Sequence, residues 1–209
     1  MEIYTYGEDG LTLWALQTKL DEILEKLSDD SSPSECKLFF RPSFGRAGGQ
    51  KSSQFGEFDF IVLAKDCLYL GESKWDRSSE IIGTNIVLRD AQLLRHKLFA
   101  FYVHRWAFGS YSKWDDFVKA ESPWVDMKGN KKPLAPTGSL LQKNLQKVME
   151  IIKSHFSQKP LILNVLLYLH SDHQISNEVY NNFRIVLLGY PIGNLGNYIS
   201  IRFEINLFR

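Results

Sequence analysis

Cysteine is scarce: Cys36 and Cys67 stand far apart, and no Cys-x-x-Cys pair occurs. That excludes a disulfide framework and a cysteine-rich zinc module, and it suits two reduced thiols packed as small hydrophobes. No apolar run escapes interruption by polar or charged residues for longer than about ten residues, well short of the ~20 that span a bilayer. The opening Met1-Glu2-Ile3-Tyr4 lacks the basic region and apolar core of a signal peptide, so the expected setting is cytoplasmic, without a membrane partner. Neither sign of charge dominates: 25 Lys and Arg against 24 Asp and Glu leave a net charge of +1. Global charge therefore argues neither for nor against nucleic acid. Gly-x-Ser-x-Gly and Walker A patterns are absent, as are internal repeats, low-complexity tracts and a clear linker. His170-x-x-His173 with Asp172 sits in a Ser/Asp/Asn-rich stretch without further ligands, which suits a solvated turn better than a metal centre. Gly193-Asn194-Leu195-Gly196 lacks the strand-to-helix setting of a phosphate loop and reads as a turn.

What is present fits one globular domain: 209 residues, 44% apolar and 23% charged. Leu13, Leu16, Leu20, Ile23, Leu24 and Leu27 fall on one helical stripe, predicting an amphipathic helix over 9–27 with Asp9 or Gly10 as its N-cap. A first strand is expected over Cys36 to Arg41, then a Gly/Ser-rich loop from Pro42 to Gln54. A hairpin follows, then a helix over 86–108. Residues 109–137 carry Trp114, Trp124 and three prolines, and read as an irregular basic insertion. A second long helix is expected over 138–156, then strands over 161–169, 183–188 and 198–207. This order implies an α/β fold with a mixed central β-sheet flanked by helices. Basic residues are unevenly spread: Lys37, Arg41, Arg46 and Lys51 lie between Cys36 and Gly56 without one acid. Seven lysines stand against Glu150 alone between Lys128 and Lys159. Such runs are usually solvated faces, but beside a carboxylate cluster a basic loop can seat phosphates.

The hairpin carries the most specific signal. Phe58-Asp59-Phe60-Ile61-Val62-Leu63 reads as a buried strand, Asp66 as a turn, and Cys67 to Trp75 as the return strand. Alternation puts Glu57 and Asp59 on one face, and Glu72 and Lys74 on one face. Side by side, the strands bring carboxylates and an ammonium to the edge of an apolar sheet. Charges there are costly unless paired or bound to a metal. Two carboxylates with a lysine two residues beyond the second can hydrolyse a phosphodiester: oxygen ligands hold Mg²⁺, and the lysine orients water or offsets developing charge.

Asp59, twelve residues, then Glu72-Ser73-Lys74 resembles the PD-(D/E)XK nuclease superfamily, which includes restriction endonucleases, Holliday-junction resolvases and repair nucleases. Gly56-Glu57-Phe58-Asp59 is similar to the Gly-Glu-hydrophobic-Asp opening of several branches, although Phe58 stands where the naming proline would be. The resemblance covers about the first half of the chain. It implies a restriction-endonuclease-like core over about 9–108, with the C-terminal helix and strands of 138–209 as additions. It makes Asp59 and Glu72 metal ligands with the Ser73 carbonyl, Lys74 the catalytic lysine, and Mg²⁺ the cofactor, with Mn²⁺ able to substitute. Many members place a Glu on the first helix facing the metal; Glu22 and Glu25 are the residues considered, both projecting away from the leucine stripe. Gln92 resembles a glutamine that some branches hold beside the site, and Glu57 is a further supporting residue. His96 lies one turn after Gln92 and would face the site or pack in the core, and His104 is expected to pack or face solvent. DNA backbone contacts are expected from Arg41, Ser43, Arg46, Lys51 and Ser52. The implied activity is a metal-dependent DNA endonuclease, restriction-type first, with junction resolution or repair as alternatives. Cutting both strands would favour a homodimer. A nucleic-acid-binding or assembly protein retaining this fold is the reading from another class.

Overall fold

The computed structural model describes residues 2–44, 56–76, 78, 81–82, 85–126, 129, 131–171, 182–190 and 198–202. Strand β1 (Glu2–Tyr6) precedes helix α1 (Gly7–Thr18), so the first helix begins before the expected Asp9 or Gly10 cap, at Gly7 with φ +81°. Lys19 leaves helical geometry (φ −130°, ψ 17°) and splits the expected helix, with α2 (Leu20–Lys26) continuing the same leucine stripe. Strands β2 (Lys37–Phe40), β3 (Phe60–Leu63) and β4 (Cys67–Trp75) follow. The short pair β5 (Ile81–Ile82) and β6 (Asn85–Ile86) stands where the sequence suggests a helix start, and α3 begins later (Asp90–Tyr102). A π-helical turn over Val103–Ala107 extends it.

The stretch expected to be irregular contains helix α4 (Trp114–Glu121) and a small hairpin, β7 (Trp124–Val125) with β8 (Lys131–Lys132). Its order comes from aromatic packing: Trp114 stacks on Tyr102 with centroids 5.7 Å apart and donates its indole N–H to the Ala135 carbonyl at 2.8 Å. Then come α5 (Leu140–His155), β9 (Leu161–His170), β10 (Phe183–Gly189) and β11 (Tyr198–Arg202).

The central sheet has five strands in the order β10-β9-β4-β3-β2. β9 runs parallel to both β4 and β10, while β2, β3 and β4 pair antiparallel, giving the expected mixed α/β sheet flanked by helices. Strands β9 and β10 from the C-terminal half belong to this central sheet, with β9 lying between β4 and β10 and pairing along the length of β4.

Alternation divides the apolar residues between two layers. Ile61, Leu63, Leu68 and Leu70 pack against α3 and α5, while Phe60, Val62, Tyr69, Val165 and Leu167 pack against α1 and α2. Phe60 lies directly over Gly71: a Cβ there would sit 2.1 Å from the ring, which is why a glycine precedes Glu72. Strands β1 and β11 form a separate antiparallel pair. No helix among the described residues is long and apolar enough to cross a membrane.

Candidate active site

The hairpin register sets the chemistry. Asp59 precedes β3 by one residue; its backbone N–H donates to the Gly71 carbonyl at 3.2 Å, and its Oδ2 accepts the Ser73 N–H at 2.7 Å. Two residues apart on β4, Glu72 and Lys74 share the face of the sheet on which Leu68 and Leu70 meet α3. Both are buried, with 1% and 4% of their surface exposed. Burial at that depth requires partners, and the partners define the site.

Glu72 is held from α3. Its Oε2 accepts the Gln92 amide at 2.9 Å, while Oε1 accepts His96 Nε2 at 2.9 Å and the Arg95 guanidinium. Gln92 also accepts the Arg89 N–H at 2.8 Å, so the same side chain closes the start of α3 and fixes the carboxylate. His96 is buried between the rings of Phe58 and Phe183, each with centroids 4.8 Å away, and its Nδ1 lies 2.9 Å from Asn164 Oδ1 on β9. The Arg95 guanidinium lies over Phe58 at 5.2 Å, beneath Gly56, where a Cβ would come within 2.6 Å of Nη1. Burial pushes the Glu72 carboxyl up, but the His96 hydrogen bond and the Arg95 charge outweigh it and leave it lowered.

Lys74 points to the first turn of α1, where Glu8 Oε1 lies 3.4 Å from its Nζ. The other Glu8 oxygen accepts the Trp75 N–H at 3.3 Å. Burial pushes the Glu8 carboxyl up, opposed by the charge of Lys74 and reinforced by that of Asp59. Asp59 is pushed up to about 6, by burial first and by the Glu72 charge second, with the Ser73 N–H and Lys74 pulling the other way. Glu8, Asp59, Glu72 and Lys74 thus act on one another electrostatically, with negative charge disfavoured on Glu8 and Asp59 and favoured on Glu72.

Several expected residues lie elsewhere. Glu22 pairs with Lys19 at 3.1 Å and Lys26 at 3.3 Å on the outer face of α2, and Glu25 is exposed. The first-helix acid at the cluster is Glu8, because the helix begins two residues early and its N-terminus abuts the end of β4. Glu57, opposite Ser43 in an isolated bridge, binds Arg41 at 3.0 Å. Arg41 also pairs with Asp9, and its backbone N–H donates to the Asp59 carbonyl at 3.0 Å. Burial lowers its guanidinium, but the charges of Asp9, Glu57 and Asp59 together raise it. Arg46, Lys51, Ser52, His173 and Gly193–Gly196 lie outside the described residues. His104 is half-buried, its imidazole lowered by burial and by Lys159, and is not among the partners of the cluster.

Reading the sequence missed Glu8 and Arg95. The second had a signal: Gln92, Arg95 and His96 have the i, i+3, i+4 spacing that sets side chains on one helical face.

Among the described residues, no group of three or more His, Cys, Asp or Glu side chains is placed to hold a metal ion. Asp59 and Glu72 do carry oxygen donors, the ligand type of a hard cation. A carboxylate has about four acceptor positions; Glu72 fills three and Asp59 Oδ2 accepts the Ser73 N–H. Oxygen capacity therefore remains on both, and Mg²⁺ needs one or two carboxylates with water and phosphate completing its shell. No protein-family model, no curated protein and no solved structure matches the chain.

Proposed function

We propose that this protein is a divalent-cation-dependent DNA endonuclease, restriction-type in the first instance, with junction resolution or repair as the alternative uses of the same chemistry. The observation that carries the reading is the convergence of Asp59, Glu72 and Lys74, joined by Glu8, at one end of an apolar sheet. Asp59 is raised by burial first and by the Glu72 charge second, and a carboxyl perturbed by both favours a functional site.

Asp59, Glu72 and the Ser73 carbonyl would hold Mg²⁺ or Mn²⁺, which when bound polarises a scissile phosphate and lowers the pKa of water. The side chains around it position and screen. Gln92, Arg95 and His96 fix Glu72 so that its orientation costs nothing at the moment of reaction. Lys74, drawn to Glu8, supplies a positive charge for phosphate oxygens and an N–H donor for an attacking water. Apolar neighbours keep bulk water from screening these charges. One such site cuts one strand, so duplex cleavage calls for a symmetric pair of chains.

The second reading is a DNA-binding protein that keeps the fold without cleavage, and the three donors on Glu72 favour it. Incubation of supercoiled plasmid and of a branched DNA with Mg²⁺, Mn²⁺ or EDTA separates the two. The endonuclease reading expects metal-dependent cutting, lost in Lys74→Ala and Asp59→Ala, with the fragments distinguishing site-specific cutting from junction resolution. Binding without cutting by folded protein supports the second reading, and neither binding nor cutting removes both.

A further inference from the structure

The pair β1–β11 presents tyrosines on one face. Tyr4 and Tyr6 are two residues apart and share it, and the register sets Tyr198 opposite Tyr6. The three are 55%, 54% and 54% exposed. The Tyr6 ring meets Tyr198 at 5.8 Å with a 46° tilt and Trp75 at 5.9 Å at 85°. Neither of these neighbours stacks flat on Tyr6, so among the described residues a ring more than half exposed keeps a face for a planar partner.

This face adjoins the acid–lysine cluster through both chains of covalent neighbours. Tyr6 leads through Gly7 into Glu8, and Trp75 follows Lys74 and donates its N–H to Glu8. Its chemistry is selective as well. Tyrosine rings with hydroxyl edges suit a flat partner rimmed with polar groups, and the adjoining cluster read as a phosphate site makes that partner a nucleotide. Nucleobases have that form, and stacking accepts any of the four. A base inside a duplex has both faces covered by its neighbours, so only an unpaired base can lie on such a surface.

We infer that Tyr6, Tyr198 and Trp75 form a stacking platform for an unpaired DNA base beside the phosphate handled by Asp59, Glu72 and Lys74. The inference rests on the endonuclease reading and favours its junction-resolution or repair use over the restriction-type one, with a substrate carrying unpaired nucleotides next to the cut: a flap, a bubble or a branch point.

Fluorescence anisotropy tests it apart from catalysis, using a fluorescein-labelled single strand and the duplex of the same sequence in EDTA. Wild-type protein is expected to bind the single strand more tightly than the duplex. Tyr6→Ala and Tyr198→Ala should each weaken single-strand binding by about tenfold, the middle of the range for loss of one stacked base. Tyr6→Phe keeps a ring and should retain affinity, and duplex binding should be unaffected in all three. Unchanged single-strand affinity in Tyr6→Ala, equal losses on both DNAs, or no binding by wild type would overturn the platform. The two readings fail separately. Tyr6-dependent binding by a protein that never cuts keeps the platform and removes the hydrolase, while cutting that ignores Tyr6 removes only the platform.

Discussion

Replacing Arg95 by Ala tests how the site is held. Glu72 is 1% exposed, and its Oε1 accepts both Arg95 and His96. Removing one partner of a buried pair leaves a charge uncompensated, which costs about 3–5 kcal/mol. His96 and Gln92 remain on Glu72, so the lower end applies, about 3 kcal/mol. For a chain of this size each kcal/mol moves Tm by roughly 2–4 °C, so the expected fall is roughly 6–12 °C. Urea denaturation of Arg95→Met, Glu72→Gln and the Arg95→Met/Glu72→Gln double variant closes a cycle. The double variant should lose less than the sum of the single losses by about 1–3 kcal/mol, because neither group is then left alone. Mg²⁺ should restore part of the Arg95→Ala loss by bringing positive charge back to Glu72. A Tm within about 2 °C of wild type, well below the shift that loss of a buried partner produces, or strict additivity in the cycle, would refute the reasoning.

Asp59 gives a pH prediction of opposite sign to the usual carboxylate. Its folded value of about 6 exceeds the ordinary 3.8, so the folded protein keeps a proton that the unfolded chain has released. Stability therefore falls as pH rises from about 4 to about 6 and stays lower above. Asp59→Asn removes that penalty and should stabilise the metal-free protein by about 1–3 kcal/mol above this window, read by urea melts across pH; a destabilised variant there contradicts the assignment. Gly71→Ala should cost about 2 kcal/mol or more by driving a methyl into Phe60, and Phe60→Leu should recover part of it in denaturation midpoints. Glu8→Gln keeps an acceptor for the Trp75 N–H but drops the charge on Lys74, and should slow cleavage by about tenfold or more while DNA affinity holds.

The hairpin and its acids were legible because the information is local. A short continuous apolar run, a turn at Asp66 and a glycine before Glu72 specify strand and pairing within eighteen residues. The two long helices α3 and α5 were legible for the same reason, through their apolar stripes. What escaped depends on chain far away. Glu8 counts only because α1 docks its first turn against the end of β4, and no local pattern reports docking. β9 looked like an appendage because its parallel pairing with β4 joins segments separated by α3, α4 and α5. Arg95 looked like an ordinary helix arginine; only burial against Glu72 and Phe58 makes it part of the cluster. Ion pairing also depends on which cations the fold brings near: Glu57 pairs with Arg41, and Glu22 with Lys19 and Lys26.

Calorimetric titration of Mn²⁺ into the wild-type protein and into Asp59→Asn, above pH 6 and again near pH 4, tests the central claim most directly. The account predicts saturable binding by wild type above pH 6, weakened near pH 4 as Asp59 takes up its proton, and abolished in Asp59→Asn. Absence of binding by folded wild-type protein, or binding that Asp59→Asn leaves unchanged, would contradict it.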